Sequence, residues 1–338
     1  MVSLTEVQAS NRRVAQTLPA GLVAVFAGAT AGIGETTLKE FARAALQPRI
    51  YFIGRSQEAG TRLTAELCSL NPGGQYVFVK ADTSLLKNVD EVCSDIRSKE
   101  NAVNVIFLSQ GTLKPGETSE GLPYAQGLTY YSRIRFIVNL LPLLQKATSL
   151  RRVVTVLAGG KEGRLFDDDF VGRKLPMSAI RGHACTMMTL ALEAISEKAP
   201  AVSFIHNYPG AIDTNLIRGD EGFMLQVMKY AFKVMLLFKS MPLKECGERH
   251  TFLCTSSKYP PREDDASASG LPLAGSVRVA RGIDGKVGSG VYSVDDEGEI
   301  SDSAVEELLA GYRQKGMVEK LWKHTEEEFL RITGSTLV

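Results

Sequence analysis

The sequence has no excess of charge of either sign: 39 basic residues stand against 38 acidic, a formal net of +1. It also lacks a Lys/Arg block and any basic stripe interleaved with aromatics, so nothing in it prepares a nucleic-acid surface. Cysteine is sparse. Cys68, Cys93, Cys185, Cys246 and Cys254 make an odd, scattered set of five with no CxxC spacing. That argues against a disulfide framework and for a reducing, cytoplasmic setting. The four histidines stand far apart without ligand spacing, so no metal site is expected. The opening MVSLTEVQASNRRVAQTLPA has no apolar core of the kind a secretory leader needs.

What the chain does have is alternation. Apolar, β-branched runs fall at 22–28, 49–54, 75–81, 103–109, 152–158 and 202–207, and helical patterns lie at 34–46, 57–70, 84–99, 128–147, 178–198 and after 213. Strands that are apolar throughout and separated by helices predict a parallel sheet covered on both faces. Right-handed crossovers make it a doubly wound α/β fold. The 338 residues read as one domain, with its core over about 20–257 plus a strand at 290–295. A Pro-, Ser- and Gly-rich surface excursion spans 256–289, and a C-terminal helical appendage spans 301–332 with a break near Gly316.

Residues 27–34 read AGATAGIG between the first strand and the first crossover helix. The spacing Gly28-x3-Gly32-x-Gly34 differs from GxGxxG. It meets the same physical demand: amides at a helix N-terminus face a pyrophosphate, with no Cβ where the phosphate approaches. A plain glycine-rich turn would explain the loop alone. Three later strand ends argue for a nucleotide. The second ends IGRS, with Arg55 where NAD sites keep an acid. A guanidinium there forks onto a 2′-phosphate. The third ends Ala81-Asp82-Thr83, an acid for the adenine amino group, and the fourth ends Ser109-Gln110-Gly111, where small residues allow close approach.

In this order the residues resemble the short-chain dehydrogenase/reductase family. TGxxxGIG stands as AGATAGIG, the adenine Asp as Asp82, the NNAG turn as SQG, and PGxxxT as Pro209-Gly210-Ala211-Ile212-Asp213-Thr214. The likeness covers residues 20–215 and, more loosely, GVYSVD at 290–295. YYSRIRFIVNLLPLL (130–144), VVTVLAGGKEG (153–163), RGHACTMMTLALE (181–193) and FIHNYPG (204–210) are similar to a fungal branch found with secondary-metabolite pathways. The resemblance implies a Rossmann-type fold, NADP(H) as cofactor, and a homodimer paired through the helices at 128–147 and 178–198. It also implies a cofactor set of Gly28, Thr30, Gly32, Ile33, Gly34, Arg55, Asp82, Thr83, Gln110, Gly111, Pro209, Gly210 and Thr214.

Members of the family reduce a carbonyl with a serine after the fifth strand, a tyrosine, and a lysine one helical turn later. A phenol near pKa 10 needs a neighbouring cation to work at neutral pH. This chain departs from that pattern. It has no serine between Leu150 and Met177, and the serine slot falls at Leu157-Ala158. It has no tyrosine between Tyr131 and Tyr208. Counting back from Leu190-Ala191-Leu192-Glu193 puts the tyrosine slot at Pro176 or Met177 and the lysine slot at Ile180 or Arg181.

Three readings stay open. In the first, an NADP(H)-dependent reductase uses relocated acid–base groups. Tyr130 or Tyr131 then brings a phenol to the nicotinamide with Arg133 nearby, or His183 donates near pH 7. The bland counterparts are a buried ring, a structural histidine and, for Lys161 and Glu162 after the fifth strand, a solvated loop pair. In the second, the fold runs non-redox chemistry as an isomerase, dehydratase or cyclase-like enzyme. In the third, it is a silent binding or scaffold protein.

GFMLQVMKYAFKVMLLFKSMP (222–242) approaches the length of a membrane span, but Lys229, Lys233 and Lys239 interrupt it. No transmembrane segment is expected. Methionines at 224, 228, 235 and 241 suit an adaptable lid over a hydrophobic small-molecule substrate. A core helix and peripheral membrane contact are the alternatives.

Overall fold

The computed structural model describes residues 2–212, 240–263, 266–300 and 302–337. Thr214, and 222–242 as far as residue 239, lie outside them. Helix α1 (Leu4–Arg12) opens the chain, with Ser3 and Glu6 closing a capping box. Alternation follows: β1 (Val23–Ala27), α2 (Gly32–Ala44), β2 (Arg49–Gly54), α3 (Gln57–Leu70), β3 (Gln75–Lys80), α4 (Leu86–Lys99) and β4 (Val105–Leu108). A π-helical turn, Gly127–Tyr131, then leads into α5 (Ser132–Lys146), β5 (Arg152–Val156), α6 (Met177–Lys198) and β6 (Ser203–Asn207). The chain ends with α7 (Leu243–Thr255), β7 (Val291–Val294), α8 (Ser303–Gln314) and α9 (Met317–Thr333).

The seven strands form one sheet in the order β3-β2-β1-β4-β5-β6-β7, with every neighbouring pair parallel. The period of two in a strand divides the apolar residues between two cores. Ala24, Phe26, Phe52 and Phe107 pack with Leu38 of α2 and Phe252 of α7. Val25, Ile53, Ile106 and Leu108 pack with Val89 of α4, Ile134 of α5 and Leu190 of α6. Strands buried on both faces explain the unbroken apolar runs VAVFA and VIFL.

Four strands end before their apolar runs do: Gly28, Ala81, Ser109 and Leu157-Ala158 lie past β1, β3, β4 and β5, although Ser109 N still donates to Ala27 O at 3.0 Å and Leu157 N to Asn207 O at 2.9 Å. The 256–289 segment is more than a surface excursion. Tyr259 and Leu271 are buried, and the Tyr259 hydroxyl donates to Gly298 O at 2.7 Å. Arg152 at the start of β5 donates to the carbonyls of Ser256 and Ser269 and so holds the first half of this stretch.

The appendage breaks at Gly316, whose φ of 66° is open to glycine at little cost. Helix α9 then buries Leu321, Phe329 and Ile332 in the core shared by α4, α5 and α6. Among the described residues no helix is long and apolar enough to cross a membrane. None of the five cysteines forms a disulfide.

Candidate cofactor and active site

The glycine loop is pressed against the end of β4. Gly28 has a φ of 79°, and a Cβ there would lie 2.4 Å from Gln110 N. A Cβ on Gly34 would lie 2.3 Å from Gly28 O, so the start of α2 sits directly on the loop. A Cβ on Gly54 would lie 2.3 Å from Thr30 Cγ2, which brings the end of β2 against the same loop. Ala31 at the N-cap of α2 offers no side-chain oxygen, so no side chain caps the amides of the first turn. Gly32, with a φ of 58°, opens that turn, followed by Ile33. Glu35 in the same turn is already paired with Lys39 and Arg62. The helix N-terminus is therefore open to an anion from outside.

The other candidates gather at this edge. Arg55, one residue past β2, is exposed and has no partner among the described residues. Asp82 after β3 holds its turn by accepting from Ser84 N at 3.0 Å, and Thr83 beside it is buried. Gln110 is buried after β4; its amide nitrogen donates to Ser132 Oγ at 3.3 Å, while its Oε1 has no partner. Pro209 and Gly210 follow β6, and Gly210 takes a φ of 81° with Asp296 alongside. Strand order reverses between β1 and β4, the crevice where doubly wound sheets hold nucleotides. Of the sequence-derived cofactor set, only Thr214 lies outside the described residues.

The predicted proton donors are placed differently. Tyr130 and Tyr131 are fully buried, and their hydroxyls turn onto α9. Tyr130 shares a 2.7 Å hydrogen bond with Thr325 Oγ1, and Tyr131 one of 2.7 Å with His324 Nε2. Burial raises both phenols above their usual range. His183 Nδ1 accepts from Phe166 N at 3.2 Å, so its proton sits on Nε2, which donates to Phe170 O at 3.0 Å. Burial lowers its pKa and favours that neutral form. Each of these three groups is held by a hydrogen-bond partner inside the fold. Helix α9 and the 164–172 loop supply these partners.

Two buried groups stand beside the serine slot. Arg133, on α5, ties the ends of β4 and β5 together. It donates from Nε and Nη2 to Gln110 O, and from Nη1 to Thr155 Oγ1 and Val156 O. These partners are neutral, and burial pulls the guanidinium down to about 9. Glu162, expected as a solvated loop residue, is instead buried. Its Oε1 accepts from Thr189 Oγ1 at 2.7 Å and Ser293 Oγ at 2.6 Å, with His206 Nδ1 at 3.5 Å. Burial pushes this carboxyl up, but the hydrogen bonds from His206, Ser293 and Thr189 outweigh it and leave the pKa lowered. Its Oε2 has no partner. One sequence signal was the position of Glu162 after the fifth strand. The polar residues His206 and Ser293, on strands that are otherwise largely apolar, also mark the network. Lys161 stays exposed, and its Nζ lies 5.7 Å from the ring centroid of Tyr208, a pairing the sequence reading did not make.

No family model matches the chain. An oxidoreductase of Emericella nidulans is 39% identical over 332 residues, covering 96% of this chain and 97% of the relative. A short-chain dehydrogenase/reductase of Stachybotrys chartarum is 29% identical over 341 residues, covering 91% and 92%. Among solved structures, a 7α-hydroxysteroid dehydrogenase complexed with NADH and 7-oxo glycochenodeoxycholic acid superposes with a TM-score of 0.55 at 16% identity. The match spans 89% of this chain and 99% of that one.

Proposed function

The chain belongs to the short-chain dehydrogenase/reductase family, among fungal oxidoreductases, and from that premise we propose that it is an NADP(H)-dependent reductase of a hydrophobic small molecule. The observation that carries the cofactor is the uncapped N-terminus of α2 beside an unpartnered Arg55. A phosphate-bearing ligand satisfies both at once. The first-turn amides receive the pyrophosphate, and Arg55 forks onto the 2′-phosphate. The free side of the Asp82 carboxylate accepts from the adenine amino group. Gly111, a residue without a side chain above Arg133, leaves room for the nicotinamide half. When bound, the cofactor supplies a hydride to a carbonyl or an activated C=C.

The apolar, methionine-rich sequence at 222–242 supports a bulky, greasy substrate over a sugar or a small acid. A place in fungal secondary metabolism follows from the stretches similar to that branch. Free cysteines support a reducing compartment, and we place the protein in the cytoplasm.

Titration with NADPH, NADP⁺ and NADH, read by nicotinamide fluorescence and calorimetry, tests this reading. Tight binding of the two phosphorylated forms and weak binding of NADH is expected. Absence of binding by all three would overturn it and turn attention to cofactor-free chemistry.

A further inference from the structure

Tyr208 directly follows β6, at the C-terminal end of the strand. Its backbone N–H donates to Val294 O at 2.8 Å and carries the β6–β7 ladder one residue past Asn207. Along β6, Phe204 packs in the core of the α5–α6 layer, and His206 reaches Thr189 of α6. Alternation along a strand turns Tyr208 to that same face. This is the side of α6, whose first residues hold the vacant tyrosine slot. Tyr208 is half-buried, and its hydroxyl has no partner among the described residues.

A cation sits over that ring because the loop under it is fixed. Lys161 N donates to Ala158 O at 3.1 Å, Gly160 N to Ser293 Oγ at 2.7 Å, and Gly163 N to Gly182 O at 3.1 Å. Between them Glu162 is buried, accepting from the hydroxyls of Thr189 and Ser293 with His206 Nδ1 3.5 Å away. These contacts anchor the loop to β6, β7 and α6 and leave Lys161 Nζ over Tyr208. Among the described residues, Asp295, Asp296 and Glu297 on the loop after β7 and Arg249 of α7 lie with Asn207 and Pro209 at this edge, Asp296 beside Gly210.

We propose that Tyr208 is the proton donor of the reaction and that Lys161 is the positioning cation that stabilises its phenolate, a step that rests on the reductase reading above. The substrate carbon gains a hydride from the reduced nicotinamide cofactor. The π pair of the C=O bond moves to oxygen, the Tyr208 O–H bond breaks, and its proton goes to that oxygen. The electron pair left on the phenolate is held by the ammonium, and water then returns the proton. The pair restores phenol-plus-cation chemistry from β6 and the β5 loop, where α6 supplies neither group.

The chain has ten tyrosines, so ring-labelled tyrosine NMR gives a tractable readout, and Tyr208→Phe identifies the signal. Saturating NADP⁺ is expected to shift the Tyr208 resonance, and Lys161→Met to shift it in the free protein. A Tyr208 signal that stays put while calorimetry shows NADP⁺ bound would overturn the assignment. Absence of NADP⁺ binding would instead overturn the reductase reading. Lys114 Nζ lies 4.2 Å from the ring centroid of Tyr124 on the β4 side, which supplies a control pair. With an apolar aldehyde or enone that the wild type reduces, Tyr208→Phe should lose about 100-fold in turnover with NADPH affinity kept. Tyr124→Phe should lose little, and the reverse order would overturn the proposal.

Discussion

The hydroxyl of Tyr131 meets Nε2 of His324 at 2.7 Å, joining residues 193 positions apart. Beside it the Tyr130 ring stands edge-on to Tyr131 at 4.9 Å and reaches Thr325. Two phenols that looked available for catalysis in the sequence are fasteners for the last helix. Their loss should therefore be felt in stability before it is felt in chemistry.

The double variant Tyr130→Phe/Tyr131→Phe removes two buried hydrogen bonds without emptying the core. A cost of about 1–3 kcal/mol is expected, read as a lower urea midpoint, with NADPH affinity and turnover retained. Unchanged stability with turnover lost would return these phenols to the active site.

His183 makes stability depend on pH. Its lowered pKa means that the unfolded chain takes up a proton near 6.5 that the folded chain refuses. The unfolded state then binds more protons, so stability falls as pH drops through that value and is fully present above it. Protonation would also set a hydrogen on Nδ1 against Phe166 N–H. Between pH 7.5 and 5.5 the wild type should lose up to about 1 kcal/mol more than His183→Asn. Parallel losses in urea melts of the two proteins would contradict this.

Arg55→Ala should separate the two nicotinamide cofactors. Charge-assisted bonds to a phosphate contribute about 1.5–3 kcal/mol. NADPH should therefore bind roughly 10- to 100-fold more weakly, and NADH should be little changed. An equal loss for both would place Arg55 elsewhere than at the 2′-phosphate.

Much of this could be read from the sequence for a plain physical reason. Fully apolar runs such as VAVFA leave no choice but a sheet buried on both faces. Gly28 and Gly34 are required by close backbone approaches that any side chain would block. What the sequence hid is long-range pairing. Nothing local says that Tyr131 would find His324, that His183 would be used up by Phe166 and Phe170, or that Glu162 would be buried while Lys161 beside it stays in solvent. Periodicity reports which face is apolar, but not which distant polar group completes it.

Helix α9 also bears on assembly. The helices expected to pair two copies are α5 and α6, yet from Ser132 to Leu140 every residue of α5 is buried within one chain. Arg135 on α5 donates to Thr333 Oγ1 and to the carbonyls of Ser335 and Thr336, and its guanidinium lies 5.0 Å from the Phe329 ring centroid. Pairing through this face would require α9 to leave. Light scattering should give a monomer near 36.7 kDa; a dimer that persists in a chain with α9 intact would show that copies pair through another surface.

The Glu162 network should be visible in acid. The carboxyl is held below its usual 4.5 by hydrogen bonds from His206, Ser293 and Thr189 that outweigh burial. A lowered carboxylate adds stability above the unfolded value, and that stability is lost as pH falls through the folded one. Glu162→Gln keeps an oxygen for Thr189 and Ser293 but puts an amide where Oε2 has no partner. A loss of about 1–3 kcal/mol at pH 7 is expected, narrowing below about pH 4.5, where the unfolded wild-type chain takes up the proton that the folded carboxyl refuses. A constant gap across that range would mean that the fold leaves the Glu162 pKa where the unfolded chain has it. The hydrogen bonds under Lys161 would then favour the ionised carboxyl no more than the protonated one.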